Sequence, residues 1–413
     1  MENKRNKITL IIIAIMIVIF LVVFIVGISS EKDTRNNEAA PSATEETLQE
    51  NTEPETENSR ENTLTLSFIG DCILGSESGK IYDGNFSYMA ENEDHTYFFS
   101  KVKDVLAQDD VTIANLECVL TDRDLEKEGK DYSPAFWFKA PTANADILTK
   151  GSVEVASLVN NHVYDYGDEG YEDTVAALKK ENLLVAQTLK PLYIEKNSIK
   201  IGILSCHLWS SYNVSYIEDA LEEMQDQCDY KIVFFHGGTE AVFQPDNYKI
   251  DACRYLASTG LCDLIVGSHP HVLQPMEVVD GVPILYSLGN FCYSASNYPD
   301  NKTVILRVNL SKTESGILTE TELIPCYVYI GSINNYQPAI MTDSSDIAEV
   351  LDFMSSEVKH QKETEAPTTE APVTEFVEIE EEEVIPEEET IPEEDDSYEV
   401  EDEEEFTGVA YAY

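Results

Sequence analysis

Five apolar runs in this chain, each about the length of a buried strand, end in carboxylates, amides or imidazoles. Phe68-Ile69-Gly70-Asp71 and Ile113-Ala114-Asn115-Leu116-Glu117 end in carboxylates. Asn160-Asn161-His162, Phe234-Phe235-His236-Gly237-Gly238 and Gly267-Ser268-His269-Pro270-His271 carry four of the seven histidines. Runs with no polar alternation suit strands covered on both faces, as in parallel sheets flanked by helices. Polar groups at the carboxyl ends of such strands gather on one edge of the sheet, where α/β sheets bind ligands. His, Asp, Glu and Asn together are the donor set of a divalent-metal site.

The rest of the pattern alternates between strand and helix. Leu64 to Ile69, Val111 to Ala114, Val153 to Val159, Ile199 to Leu204, Lys231 to Phe235 and Leu264 to Val266 read as strands. Helical spacing runs through Tyr97 to Leu106, Ala143 to Thr149, Asp168 to Glu181, Ser215 to Met224 and Asn247 to Ser258. In Asp168 to Glu181 the acidic residues lead and Lys179-Lys180 close, the order a helix dipole favours. Pro283 to Ser287, Val304 to Leu310 and Leu318 to Tyr329 are expected to be later, antiparallel strands. The prediction is an α/β domain over residues 63–360.

The formal net charge of -51 is concentrated outside that domain. From Glu363 to Tyr413 there are 22 Asp or Glu and no Lys or Arg. Such a stretch cannot bury enough apolar surface to offset its ordering entropy, so 361–413 is expected to be a disordered acidic tail. Residues 31–62 read as a flexible linker. The acidic balance and the lack of a basic stripe exclude nucleic acid as a partner.

Ile8 to Ile28 is 21 residues without a charge, enough to span a bilayer. Lys4, Arg5 and Lys7 outweigh Glu2 before it, which places the amino end in the cytoplasm. The run is longer than a cleaved signal's apolar region and has a poor cleavage site, so residues 1–30 are expected to be a signal anchor with the main domain extracellular. The eight cysteines have no compact spacing and read as small buried hydrophobes; Cys253 and Cys262 are close enough in sequence to permit a bridge.

Among the candidate site residues, Asp71 and Glu117 are carboxylates at strand ends. Asn160-Asn161-His162 offers a neutral amide ligand and a general acid, with Asp165 placed to fix the imidazole tautomer. His236 follows a strand that should be dry, and Glu240 is within local reach. In extended geometry His269 and His271 would point to opposite faces about Pro270. Lys139, in Phe136-Trp137-Phe138-Lys139-Ala140-Pro141, could contact an anionic substrate, and Asn290 closes Tyr286-Ser287-Leu288-Gly289-Asn290-Phe291 toward the cleft.

The ordered series Gly70-Asp71, Asn115-Leu116-Glu117, Asn160-Asn161-His162 with Asp165-Tyr166-Gly167, His236-Gly237-Gly238-Thr239-Glu240, Ser268-His269-Pro270-His271-Val272-Leu273-Gln274 and Ser287-Leu288-Gly289-Asn290-Phe291 resembles the CapA family. These are bacterial poly-γ-glutamate capsule proteins with a domain related to calcineurin-like metallophosphoesterases. The resemblance, from about Leu64 to Asn309, implies a four-layer α/β/β/α sandwich, membrane attachment and a part in making, anchoring or exporting an anionic polyglutamate with other capsule synthesis membrane proteins.

By that resemblance Asp71, Glu117, Asn161, His236, His269 and His271 would hold one or two divalent ions of Mn, Fe or Zn type. His162 would be the acid or phosphate-side histidine. From the residues themselves, Asp165 is expected to orient His162, and Asn160, Lys139, Glu240 and Asn290 to meet substrate. The chain departs from the family in three places. Asp71-Cys72-Ile73 lacks the histidine of an Asp-x-His first motif, so the first metal would be short of a ligand. Ser268 stands where a His-His-Pro-His motif has its first histidine, and Gly237 where a Trp is usual. Three functional readings follow: a capsule synthesis protein, a metal-dependent phosphoesterase or other hydrolase at the cell surface, and a non-catalytic polymer-binding scaffold.

Overall fold

The computed structural model describes residues 62–130, 134–294 and 300–361. The expected anchor at Ile8 to Ile28, nearly all of the linker and the acidic tail lie outside these residues. Among the described residues no helix is long and apolar enough to cross a membrane.

The strands in chain order are β1 Thr63–Cys72, β2 Ser76–Glu77, β3 Val111–Leu116, β4 Val119–Leu120, β5 Phe138–Ala140, β6 Val155–Ser157, β7 Leu184–Ala186, β8 Leu192–Lys196 and β9 Ile199–His207. There follow β10 Tyr230–His236, β11 Leu264–Ser268, β12 Leu273–Val279, β13 Val282–Leu288, β14 Lys302–Thr313, β15 Gly316–Tyr327 and β16 Ala339–Ile340. The helices are α1 Phe86–Asn92, α2 Lys103–Leu106, α3 Asp146–Lys150, α4 Gly167–Lys180, α5 Asn213–Glu223, α6 Asn247–Ser258 and α7 Ser344–Met354.

Two large sheets carry the fold. One has seven strands in the order β16-β15-β14-β1-β3-β6-β7, the other six in the order β12-β13-β11-β10-β9-β8. The pairs β1–β3, β3–β6 and β6–β7 are parallel, as are β9–β10, β10–β11 and β11–β13. A third sheet, β2-β5-β4, is small.

The apolar runs explain the layering. Along β1, Leu64, Leu66 and Phe68 pack into a core shared with Ile201, Ile203, Ile232, Phe234 and Val266 of the second sheet. Phe68 meets Phe234 edge to face, ring centroids 5.7 Å apart. Each such buried ring contributes about 2–3 kcal/mol through area removed from water. The opposite face of the first sheet packs Ile69, Ala114 and Ala156 with Leu148, Ala177 and Leu178 of α3 and α4. The outer face of the second packs Leu204, Val233 and Ile265 with Ile217, Leu221, Ile250 and Leu256 of α5 and α6. Helices α3 to α6 thus lie outside two face-to-face sheets, whereas α7 packs Val350 and Met354 into the core between them.

The expected strands and the longer helices are present with small changes of boundary. Two expectations change. Tyr97 to Leu106 is not one helix but a 3-10 turn at His95–Tyr97, turns and the short α2. Pro283 to Ser287 lies in β13, which is antiparallel only to β12 and runs parallel to β11, because its apolar sequence is buried inside the sheet. The cysteines agree with their reading as small buried hydrophobes: Cys253 and Cys262 do not bridge, all eight are free and all but Cys228 are buried.

Candidate functional site

The carboxyl ends of β1, β3, β10 and β11 converge and bring five predicted residues together: Asp71, Glu117, His236, His269 and His271, all buried. Their ligand atoms form two overlapping sets, Asp71–Glu117–His271 and Glu117–His236–His269, each with members within 4.8 Å of one another. A third set, Glu240–His269–His271, lies toward solvent.

Backbone geometry aims the first carboxylate. A Cβ at Gly70 would stand 2.0 Å from the Gly289 carbonyl oxygen, so only glycine allows this approach of the two chains. Asp71 N donates to Gly289 O at 2.9 Å, and Phe291 N donates back to Asp71 O at 2.8 Å. The β1–β3 register slips at Gly70, which sets Asp71 opposite Asn115.

The tripeptide His269-Pro270-His271 is not extended. His269 has φ +100° and His271 φ +59°, both in the left-handed region that costs a β-carbon-bearing residue. The two rings therefore turn to one side, 5.7 Å apart, instead of to opposite faces. The expectation of divergent imidazoles is overturned because the loop folds back over the end of β1, where His269 N donates to Asp71 Oδ2 at 3.3 Å.

The hydrogen bonds show which atoms are left over. Asn115 Nδ2 donates to Asp71 Oδ1 at 2.8 Å and to Glu117 Oε2 at 3.3 Å. Ser268 Oγ donates to Phe235 O and so accepts from His236 Nδ1–H at 3.0 Å. That leaves the Nε2 lone pair of His236 facing Asn161 Oδ1 at 2.9 Å and Glu117 Oε1 at 3.7 Å. His271 Nδ1–H donates to Asn290 Oδ1 at 2.9 Å, with Asp71 Oδ2 at 3.1 Å, and its Nε2 faces Glu117 Oε1 at 3.6 Å. Glu117 Oε1 and His269 Nδ1 are buried without a hydrogen-bond partner. Electron pairs thus converge at spacings close to the roughly 3.3 Å that separates two donors on one tetrahedral ion. The donor set fits a divalent cation, and Glu117 Oε1 is common to both halves.

Electrostatics follow from this crowding. Burial holds the Glu117 carboxyl well above the usual range, with Asp71 and Glu240 adding to the shift and His271 opposing it. Burial and the neighbouring histidines hold His236 well below the imidazole range, and burial with His271 and Lys249 does the same to His269. Both rings are neutral, as ligands must be. His271 goes the other way: burial alone would lower it, but Glu117 and Asp71 together outweigh that and carry it up to about 9, so a cation would bind there by displacing the Nε2 proton.

At the rim, His162 Nδ1–H donates to Asp165 Oδ2 at 2.8 Å. Lys130 Nζ lies 2.5 Å from Asp165 Oδ1 and donates to Phe136 O at 2.7 Å. Burial lowers the pKa of His162, with Lys130 acting in the same direction and Asp165 against it.

Three of the four expected substrate contacts are placed differently. Lys139 donates to Arg123 O and lies over the Tyr166 ring. Successive residues of β5 face opposite ways, and it is Phe138 that meets the His162 ring, at 4.7 Å. Asn160 is spent within the protein, donating to Leu116 O and to the Asn115 side-chain Oδ1 and accepting from His162 N. Asn290 orients His271. Glu240 is exposed beside His269 and His271.

Sequence reading missed Asn115, Lys130, His207, Trp209 and Lys249. His207 ends β9 opposite His236, the same strand-end signal as the others. Trp209 stands nearly perpendicular to the His269 ring at 4.7 Å and to the His236 ring at 5.6 Å. Nothing in the charged loop around Lys130 marks that residue.

Residues 65–295 match the family described as bacterial capsule synthesis protein PGA_cap. The chain is 25% identical over 285 residues to the PGA biosynthesis protein CapA of Bacillus subtilis, covering 64% of this chain and 72% of that protein. It is 24% identical over 297 residues to the capsule biosynthesis protein CapA of Bacillus anthracis, covering 65% and 68%. A probable polyglutamine synthesis accessory protein of Mycobacterium tuberculosis is 24% identical over 283 residues, covering 60% and 72%.

Proposed function

The chain belongs to the bacterial capsule synthesis protein PGA_cap family, and from that premise we propose that it takes part in poly-γ-glutamate synthesis, anchoring or export, as a membrane-anchored extracytoplasmic protein whose strand-end cluster holds divalent cations. One observation supports the cation most: Glu117 Oε1, buried and without a hydrogen-bond partner, stands between the Nε2 atoms of His236 and His271 at 3.7 and 3.6 Å.

Asp71, Glu117 and His271 would hold one ion, and Glu117, Asn161, His236 and His269 the other. An ion of Mn, Fe or Zn type supplies Lewis acidity and lowers the pKa of a water it binds. The residues do the rest. Asn115 fixes both carboxylates and Ser268 fixes the His236 tautomer, the outer support that metal-site ligands need. His162 keeps its Nδ1 proton on Asp165, which leaves Nε2 to exchange a proton with the leaving group. Lys130 holds Asp165 in place from the other side. Trp209 and Tyr293 pack against His269 and His271 and keep bulk water from them. A buried acid pair beside a cation cluster favours hydrolysis, of a phosphoester or of a polymer amide, over passive polymer binding.

The test is genetic and quantitative. Deleting the gene should abolish cell-associated polyglutamate, and the wild-type gene should restore it. The His269→Ala, His271→Ala double variant, at equal abundance, should not. Unchanged polymer after deletion would refute the capsule role, and full rescue by the double variant would show the cluster to be dispensable for it.

A further inference from the structure

The two donor sets are unequal. Glu117, His236, His269 and Asn161 make four donors, whereas Asp71, Glu117 and His271 make three, one short of the tetrahedral complement of a bound ion. Glu240 reaches the thinner set through His271: one of its carboxylate oxygens lies in a 4.8 Å group with ligand atoms of His271 and of His269, which belongs to the fuller set. Its charge acts on both His271 and Glu117.

The local chain is built to bring Glu240 there. After His236 the backbone must turn sharply, since a Cβ at Gly237 would stand 1.9 Å from Leu208 O and Gly238 has φ +117°. Lys249 Nζ pins the turn by donating to Gly237 O at 3.2 Å. The loop is then latched on each side of Glu240: Thr239 N and Oγ1 donate to Asp246, Ala241 N donates to Pro270 O at 2.9 Å, and Gln274 Nε2 donates to Val242 O at 2.7 Å. These bonds tie the Glu240 loop to the histidine loop itself. His269, nine-tenths buried, keeps Nδ1 without a partner in the same cluster.

We infer that Glu240 is a cation ligand carried on a loop: it completes the Asp71–Glu117–His271 set from the solvent side and makes that ion the more exchangeable of the two. The inference rests on the cation reading above and assigns Glu240 a role other than substrate contact. Because the carboxylate is exposed, its replacement should leave the fold intact, and circular dichroism and melting should confirm this.

The experiment strips the purified full chain with chelator, reloads it with Mn²⁺, and compares wild type with Glu240→Gln and Glu240→Asp by elemental analysis and calorimetric titration. Wild type should hold about two equivalents, Glu240→Gln about one, and Glu240→Asp about two with one weakened roughly 10-fold or more. Two equivalents with unchanged affinities in Glu240→Gln would overturn the inference while leaving the cation reading intact. Loss of both ions in Glu240→Gln would also overturn it, by showing that Glu240 does not serve one set alone. No uptake by wild type would refute the cation reading itself.

Discussion

The first sheet buries a polar cluster at each of its two ends, and the two are satisfied in opposite ways. At the start of β3, Arg307 Nε donates to Asp109 Oδ1 at 2.9 Å, Arg307 Nη2 donates to Val105 O, and Ser67 Oγ donates to Asp109 Oδ2. Both Asp109 oxygens are engaged, so this cluster needs nothing from outside. At the end of β3, Glu117 Oε1 and His269 Nδ1 have no partner and two imidazoles aim at one oxygen. A buried polar group left unmade costs about 1–3 kcal/mol, which a chain sustains where a ligand will repay it. Between these two carboxylates, Asp109 and Glu117, the difference is satisfaction rather than polarity.

The largest effect that would sharpen this contrast is at the satisfied end. Arg307→Met should cost about 3–5 kcal/mol in denaturant unfolding, because it strands a buried carboxylate, and should leave cation uptake unchanged. Altered uptake would couple the two ends. At the other end, His162→Gln should lower any hydrolytic turnover by roughly 10²-fold or more at equal cation content. Unchanged turnover would remove His162 from the chemistry. Glu117→Gln should do the reverse of Arg307→Met, raising stability by about 1 kcal/mol in chelator while losing stabilisation by added Mn²⁺. A large loss of stability in chelator would class Glu117 with Asp109.

Two cationic side chains, the half-buried Arg307 and the buried Lys249, make a finer version of the comparison. Arg307 has three acceptors, Asp109, Glu322 and Val105 O; Lys249 is fully buried with one, the Gly237 carbonyl, and lies over the Phe235 ring. Burial lowers the Lys249 pKa from 10.5 to about 8. Because the folded value is depressed, the unfolded chain binds more protons between these two values, and stability contributed by this group rises with pH across that window. Lys249→Met should flatten this rise, and an unchanged slope in pH-dependent melts would show that Lys249 is not its source.

Much of this was legible in the sequence because burial on both faces leaves an unambiguous signal. Phe68-Ile69 and Phe234-Phe235 are adjacent apolar residues that only a covered strand can hide, and the polar residue that follows each is forced to the edge of the sheet. The path of the chain beyond the strands was not legible. His269 and His271 converge only because both adopt positive φ, and nothing local in a His-Pro-His tripeptide requires that. Lys139 and Lys130 look alike in sequence, and which one reaches Asp165 depends on the small sheet, whose strands run two or three residues and carry almost no periodicity. Asn115 was a readable omission: an amide inside an apolar strand must be paired, and here its partners are the two carboxylates.

The central claim is that the unpaired donors at the strand ends exist to hold cations. Crystals of the full chain grown with saturating Mn²⁺ and measured across the manganese absorption edge test it most directly. The account predicts anomalous density within the cluster, flanking Glu117 Oε1 on the His236–His269 side and on the Asp71–His271 side. Saturated crystals with no anomalous density there, and Glu117 Oε1 still unpaired, would contradict it.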